Sequence, residues 1–113
     1  SYRSKKTFNT WNFSPPLKNQ IKVINFVKQI ISSSNYPMKI ITKSNRHFYE
    51  SKRLNLSSRK ANSDIKWKTI LSQQNVIKFI INWYKAYNNK ENMKNYSKNQ
   101  ILEFYKISKM KKL

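Results

Sequence analysis

The sequence lacks residue types on which whole classes of protein depend. Its 113 residues include no cysteine, no glycine and only three prolines. The absence of cysteine excludes disulfide frameworks, Cys-ligated zinc and thiol catalysis. The absence of glycine excludes Gly-rich phosphate loops and leaves Asn, Ser and Pro to form the tight turns. No apolar run approaches the ~18 residues of a membrane span, so we predict no transmembrane segment.

Acidic residues are also scarce. Four acids stand against 24 Lys and Arg, which gives a formal net charge of +20. In a globule with a radius of gyration of about 13 Å, this charge would repel itself by about 15 kcal/mol at physiological ionic strength. A domain of this size has a total stability of only roughly 5–15 kcal/mol. We therefore expect a polyanionic partner, which is nucleic acid, an anionic membrane surface or an acidic protein.

Side chains for catalysis are few. The candidates for acid–base chemistry are His47, Glu50 and Asp64, with no second histidine beside them. A lone histidine in a basic segment is typical of a phosphate or solvent contact, and the possible metal ligands are too few for a site. We predict that the protein is not an enzyme and has no cofactor, no metal and no small-molecule substrate.

Apolar periodicity predicts a mainly α fold: a small helical domain of three to four helices with a basic, irregular N-terminal arm, middle loop and C-terminal tail. A basic aromatic N-terminal extension covers residues 1–14, and the helical domain covers 15–108. A basic loop interrupts the domain at 43–62, and a basic tail covers 109–113.

The first helix is predicted to start at Ser14, a capping residue followed by two prolines that the first turn tolerates. It is predicted to end before Pro37, which favours an extended conformation at the preceding residue. Residues 38–42 then alternate weakly, which fits a short strand or an extended loop.

Helical spacing is strongest over residues 76–87. Before it, the polar run 62–64 resembles a helix N-cap with an acid in the first turn. The sequence leaves open whether one long helix follows or two helices broken near Ser72.

The last helix is predicted from a capping-box pattern, formed by Ser97 and Gln100. Helical spacing continues from there to Ser108. This start leaves residues 88–96 as a long polar connection.

Two groups of aromatic residues allow more than one interpretation. The first group is predicted to form the core, with a contact to a neighbouring protein as the alternative, and consists of Trp67, Phe79, Trp83, Tyr84 and Tyr87. The second group lies in the N-terminal segment and consists of Phe8, Trp11 and Phe13. It either stacks on bases or docks in a protein groove, or it packs on the protein's own core.

The most basic interior segment covers residues 43–62 and holds three of the four arginines. Its cations suit phosphates, and its hydroxyl, amide and aromatic groups suit hydrogen bonds and stacking on unpaired bases. A solvated loop is the alternative. With the two ends of the chain, the predicted RNA-binding residues are Arg3, Lys5, Lys6, Lys43, Arg46, His47, Lys52, Arg53, Arg59, Lys60, Lys109, Lys111 and Lys112.

The residue composition and the arrangement of basic arms around a small helical body resemble one class of protein. Lys, Asn and Ile make up 48 of the 113 residues, and all three have AT-rich codons, which indicates an AT-rich genome such as that of an organelle, a protist or a parasite. A short, Lys-rich chain with basic arms and a small helical body resembles the ribosomal proteins, and the residue choice resembles those of protist mitochondria. The resemblance implies a structural constituent of a mitochondrial ribosome in the matrix, with ribosomal RNA and adjacent ribosomal proteins as partners.

A local pattern is similar to the opening of the bacterial large-subunit protein L-seventeen. The matching pieces are Arg46-His47, Leu54-Asn55 and the run Ser57-Ser58-Arg59-Lys60-Ala61. The histidine of that run and all of the glycines are missing here, so the specific family stays open, and a lineage-specific ribosomal protein is the alternative. Two other functions also stay open: a sequence-tolerant DNA-binding protein built on a helix-turn-helix variant, or an accessory subunit of a mitochondrial membrane complex.

Overall fold

A computed structural model describes residues 9–43 and 56–111 and confirms a mainly helical fold. The described residues contain a 3-10 turn at Leu17–Asn19 and four helices: α1 Val23–Ser34, α2 Arg59–Ile65, α3 Gln73–Asn88 and α4 Met93–Met110. No strand occurs among them, so residues 38–42 form a loop and not a strand.

The chain divides into two compact units. The small unit consists of Ser1–Gln20 and Lys52–Thr69, and the hairpin unit consists of Ile21–Ser51 and Ile70–Leu113. The helical domain predicted over residues 15–108 is therefore divided, because its first residues belong with α2. In addition, α2 begins inside the predicted basic loop, and α4 continues past the predicted boundary at residue 108.

In the small unit, an extended N-terminal segment packs on α2 and the residues that follow it. The ring of Phe13 meets the Trp67 indole edge-on with centroids 5.0 Å apart. The Trp11 Nε1 donates a hydrogen bond to the Asp64 carboxylate at 3.0 Å. These two aromatic residues therefore contact other parts of the small unit. Phe13 is nevertheless 52% exposed, so stacking on bases or docking in a protein groove stays a prediction, and Phe8 lies outside the described residues.

Ser14 connects chain segments and does not cap a helix. Its hydroxyl donates to the Leu56 carbonyl at 2.9 Å, and its own carbonyl accepts from the Ser58 hydroxyl at 3.3 Å. The two prolines after Ser14 lead into the 3-10 turn only, and α1 starts at Val23. The predicted helix start is therefore wrong: Gln20 and Lys22 take extended conformations, which separate the 3-10 turn from α1. The predicted end is confirmed: α1 stops at Ser34, shortly before Pro37.

The helix start predicted at residues 62–64 is wrong, because these residues lie inside α2. After α2, Lys66 takes the left-handed conformation with φ 56°, and the Trp67 N–H donates to the Ala61 carbonyl at 3.2 Å. This six-to-one hydrogen bond is typical of a helix C-terminus. The chain therefore leaves the helix at Lys66 and is not helical again until α3.

The hairpin unit is built around α3, which packs against α1 and α4. The Ser72 hydroxyl accepts the Asn75 N–H at 3.2 Å and caps α3. Residues 66–72 are not helical, so both expected arrangements, one long helix or two helices broken near Ser72, are wrong. Ile77 and Ile81 are buried and line the cleft between α3 and α1.

Helices α3 and α4 form an antiparallel hairpin. The Trp83 Nε1 donates to the Ser97 hydroxyl at 3.1 Å, and the Gln100 amide donates to the Phe79 carbonyl at 2.9 Å. The contacts of α4 thus move toward the start of α3 as α4 proceeds, which is the pattern of two antiparallel helices. The DNA-binding alternative, a helix-turn-helix variant, stays a prediction.

The predicted capping box at the start of the last helix is wrong. Asn92 caps α4 by accepting the Asn95 N–H at 3.2 Å, so the helix starts at Met93. The connection to α3 is then residues 89–92 and not 88–96. Ser97 and Gln100 carry the capping pattern but lie inside α4, where their side chains bind α3.

Candidate nucleic-acid interface

Positive charge covers the described residues of both units. Every lysine and arginine among them is exposed except Lys85, which is half-buried. They lie on all four helices and the segments between them: Lys18, Lys22, Lys28, Lys39, Lys43, Arg59, Lys60, Lys66, Lys68, Lys78, Lys85, Lys90, Lys94, Lys98, Lys106, Lys109 and Lys111. The acids in the same residues are Asp64, Glu91 and Glu103. The cations are distributed over the elements and are not gathered on one recognition helix.

The structure describes five of the predicted RNA-binding residues. They are Lys43, Arg59, Lys60, Lys109 and Lys111. The others lie outside the described residues: Arg3, Lys5, Lys6, Arg46, His47, Lys52, Arg53 and Lys112. The hypothesis that the predicted residues form one interface therefore stays a prediction.

Two of the five predicted cations contact the protein's own backbone. The Lys60 Nζ donates to the Thr10 carbonyl at 3.1 Å, which attaches the N-terminal segment to α2. The Lys111 Nζ donates to the carbonyl of Ile70, at the other end of the hairpin unit's second segment. Both ammonium groups remain exposed, so they can contact a phosphate in addition to the carbonyl.

Arg59 lines a groove of about 450 Å³ in the small unit. The same groove is lined by Ser58, Trp67 and Lys68. A guanidinium, an ammonium, a hydroxyl and an indole in one concave surface provide charge-assisted hydrogen bonds and a π-face. Apolar side chains line the rest of the groove, among them Pro15, Leu17 and Leu56, so the groove offers both polar and apolar contacts.

A second cleft, of about 380 Å³, lies between α1 and α3 in the hairpin unit. Hydroxyl and amide groups line one part of it, including Ser32, Ser33 and Asn82. Lys78 and Lys85 line the α3 side. Sequence reasoning missed this cleft because the lysines have the helical spacing of a solvated face, and only the position of α1 brings hydroxyl groups beside them.

The predicted aromatic core is wrong for two of its five members. Tyr84 and Tyr87 are 60% and 58% exposed. Trp67, Phe79 and Trp83 are half-buried. The two tyrosines are exposed because α3 has helix partners on two sides only. Their hydroxyl groups were the available signal, since Tyr tolerates water better than Phe or Ile.

The described residues were also compared with what an acid–base site, a metal site and a membrane-spanning helix require. Asp64, one candidate for acid–base chemistry, accepts the Trp11 indole N–H, whereas His47 and Glu50 lie outside these residues. Within residues 9–43 and 56–111, no three His, Cys, Asp or Glu side chains come together as a metal site would require. No helix in these ranges combines the length and the apolar character needed to cross a membrane.

Comparison with known proteins gave no match: no family model, no curated protein and no solved structure is significantly similar to the chain.

Proposed function

We propose that the protein is a structural constituent of a mitochondrial ribosome in the matrix, which binds rRNA through basic side chains and adjacent ribosomal proteins through amphipathic helices. The observation that carries this proposal is the distribution of exposed cations over every described helix, with only three acids among the same residues. A partner that surrounds the protein neutralises such a surface, whereas a partner that docks on one face leaves most of the charge unpaired.

Exposed apolar side chains support a second type of contact. On α4, Ile101, Leu102 and Tyr105 are each more than half exposed. Only four apolar residues in the described parts of the chain are buried. Exposed apolar residues grouped on one helix mark a protein contact more often than a bare surface. We assign this part of α4 to a neighbouring ribosomal protein.

The mechanism is charge neutralisation and shape fitting, without turnover. Lysine ammonium groups replace condensed counterions along the phosphate backbone, and the counterions released into solution provide the driving force. The preference for Lys over Arg suits this role, because a point charge on a flexible stem adapts to phosphates in many positions.

The first prediction concerns salt. If six to ten phosphates are contacted, the affinity for an rRNA fragment should fall about a thousandfold or more between about 50 and 200 mM salt. Fluorescence anisotropy with a labelled fragment measures this slope. A DNA duplex of equal length and charge is the control for RNA preference. An affinity that does not change with salt would contradict the proposal.

Location is tested separately. Purified chain is sedimented with mitochondrial ribosomal subunits and, in parallel, floated with cardiolipin-containing vesicles. We expect co-sedimentation with one subunit at physiological salt. Flotation with vesicles and no sedimentation with either subunit would instead support the membrane-complex alternative and overturn the ribosomal one.

A further inference from the structure

We propose that the surface formed by Tyr84, Tyr87, Lys94 and Lys98 binds an unpaired RNA base by stacking, with the two lysines contacting the flanking phosphates. We call it the tyrosine–lysine surface. The inference rests on the proposed function in one respect, that the polyanion is RNA. It goes further in assigning base recognition, in addition to charge, to a defined part of the α3–α4 hairpin.

The four residues lie on the same side of the hairpin. On α3, the Trp83 indole and the Phe79 carbonyl contact α4, and the helical spacing of 100° per residue places Tyr84 and Tyr87 toward one side of that contact. On α4, Ser97 and Gln100 face α3, and Lys94 and Lys98 lie about a quarter turn away. Tyr84 and Tyr87 are rotated from Trp83 in the same sense about α3 as Lys94 and Lys98 are rotated from Ser97 about α4. Because the two helices face each other and run antiparallel, equal rotations turn all four residues to the same side of the pair. The pairing of Trp83 with Ser97 also places all four residues near the connecting turn.

The aromatic rings are held in place. Tyr87 stacks on Trp83 with an angle of 6° between the ring planes and centroids 5.7 Å apart, and Tyr84 meets Trp83 edge-on at 5.3 Å. Trp83 is itself fixed by its hydrogen bond to Ser97. Both tyrosines are nevertheless more than half exposed. A fixed ring with an open face loses little conformational entropy when a base stacks on it.

The charges around the rings favour a nucleic acid over an apolar protein segment. Lys94 and Lys98 are exposed. The backbone of Lys90 lies next to the tyrosines, because its N–H donates to the Tyr87 carbonyl at 3.0 Å. Glu91, in the connecting turn, is the acid nearest along the chain. An aromatic platform beside lysines is the usual combination for single-stranded nucleic acid. The exposed aliphatic residues of α4 lie further along that helix, beyond Lys98.

The test compares a ligand that has free bases with ligands that have none. A uridine-rich single-stranded RNA, an RNA duplex of the same length and heparin are titrated into the full chain at fixed salt. The variant is Tyr84→Leu with Tyr87→Leu, which keeps apolar surface and removes the aromatic rings. We expect it to bind the single-stranded RNA about tenfold more weakly or worse, with little change for the duplex or heparin. Quenching of tryptophan fluorescence by the single strand should diminish as well.

Two further variants separate stacking from charge and from folding. Tyr36→Leu removes a tyrosine that is 49% exposed and lies elsewhere in the hairpin unit, and it should bind all three ligands as the original chain does. Lys94→Gln with Lys98→Gln should lower the salt slope for single-stranded RNA by about 1.4, because the chain then neutralises two fewer phosphates. Circular dichroism confirms that the helix content of each variant is unchanged.

The outcomes are distinct. Equal losses for heparin and single-stranded RNA in the tyrosine variant would overturn stacking, because heparin has no bases. Unchanged single-strand affinity would overturn the base site and leave this surface to a protein neighbour, while salt-dependent binding of RNA would still support the proposed function. Failure of the original chain to bind any RNA would overturn both proposals.

Discussion

Among the described residues, three that are not glycine occupy a conformation that usually belongs to glycine. Asn35, Lys66 and Lys90 have φ of 59°, 56° and 56°. Each lies just after a helix. At Lys66 and Lys90 the left-handed conformation lets the following backbone N–H groups bond the last carbonyls of the helix, from Trp67 to Ala61 and from Glu91 to Ala86. The expectation that Asn, Ser and Pro form the tight turns fits Asn35 but not the two lysines. Residue type alone does not indicate the two lysines, because Lys has no local hydrogen bond that favours this conformation.

Lys90 therefore offers a test at the residue scale. Replacing Lys90 with Gly removes the steric cost of the left-handed conformation and so stabilises the folded chain. The greater freedom of glycine in the unfolded chain offsets part of this stabilisation. We expect a gain in the free energy of unfolding of about 0.5–1 kcal/mol. Urea denaturation followed by circular dichroism measures it.

Lys106→Gly is the matched control, since it removes the same charge from an exposed position inside α4. Its free energy of unfolding should fall by about 1 kcal/mol, because glycine is unfavourable in a helix interior. Two variants of equal stability would contradict the left-handed geometry at Lys90.

At the scale of the elements, sequence patterns located helices better than they located helix ends. The strong periodicity of residues 76–87 lies wholly inside α3. In contrast, Ser97 and Gln100 match a capping box although both lie inside α4. A short polar side chain can cap a helix or bond a neighbouring helix, and the sequence pattern is the same in both cases. Only the position of α3 decides between them.

The candidate surfaces were harder to predict for a related reason. Tyr84 and Tyr87 continue the apolar stripe of α3, and such a stripe is buried when helices surround it. Here α1 and α4 cover two sides of α3 and leave the tyrosines exposed. The number of neighbours that a helix has is a tertiary property, so residue spacing does not reveal it. The general basic character of the surface, in contrast, followed from composition alone.

The start of α4 gives a prediction at the element scale. Asn92→Ala removes the side-chain oxygen that accepts the Asn95 N–H and should lower the free energy of unfolding by about 1 kcal/mol. Asn99→Ala is the control, because Asn99 is exposed in the middle of α4. It should be neutral or slightly stabilising, since Ala favours a helix interior more than Asn does. A larger loss for Asn99→Ala than for Asn92→Ala would show that α4 starts elsewhere.

At the scale of the whole molecule, charge and apolar exposure have a common consequence. Few apolar residues of the described chain are buried, and the cations on every helix repel one another. Both features become favourable when an RNA neutralises the cations and a protein covers the apolar side chains. The tyrosine–lysine surface is aromatic, whereas the cleft between α3 and α1 contains hydroxyl and amide groups beside Lys78 and Lys85.

The net charge of +20 also predicts how folding responds to salt. Raising NaCl from about 10 to about 150 mM shortens the Debye length from about 30 to about 8 Å and weakens the repulsion in the compact state more than in the extended chain. The free energy of unfolding should therefore rise by a few kcal/mol, whereas a chain stabilised by surface ion pairs would lose stability. Thermal melting followed by circular dichroism measures the shift, and sucrose at equal osmolarity controls for effects other than screening. A melting temperature that stays constant or falls with NaCl would mean that self-repulsion does not limit folding, and the need for a polyanion would then concern assembly alone.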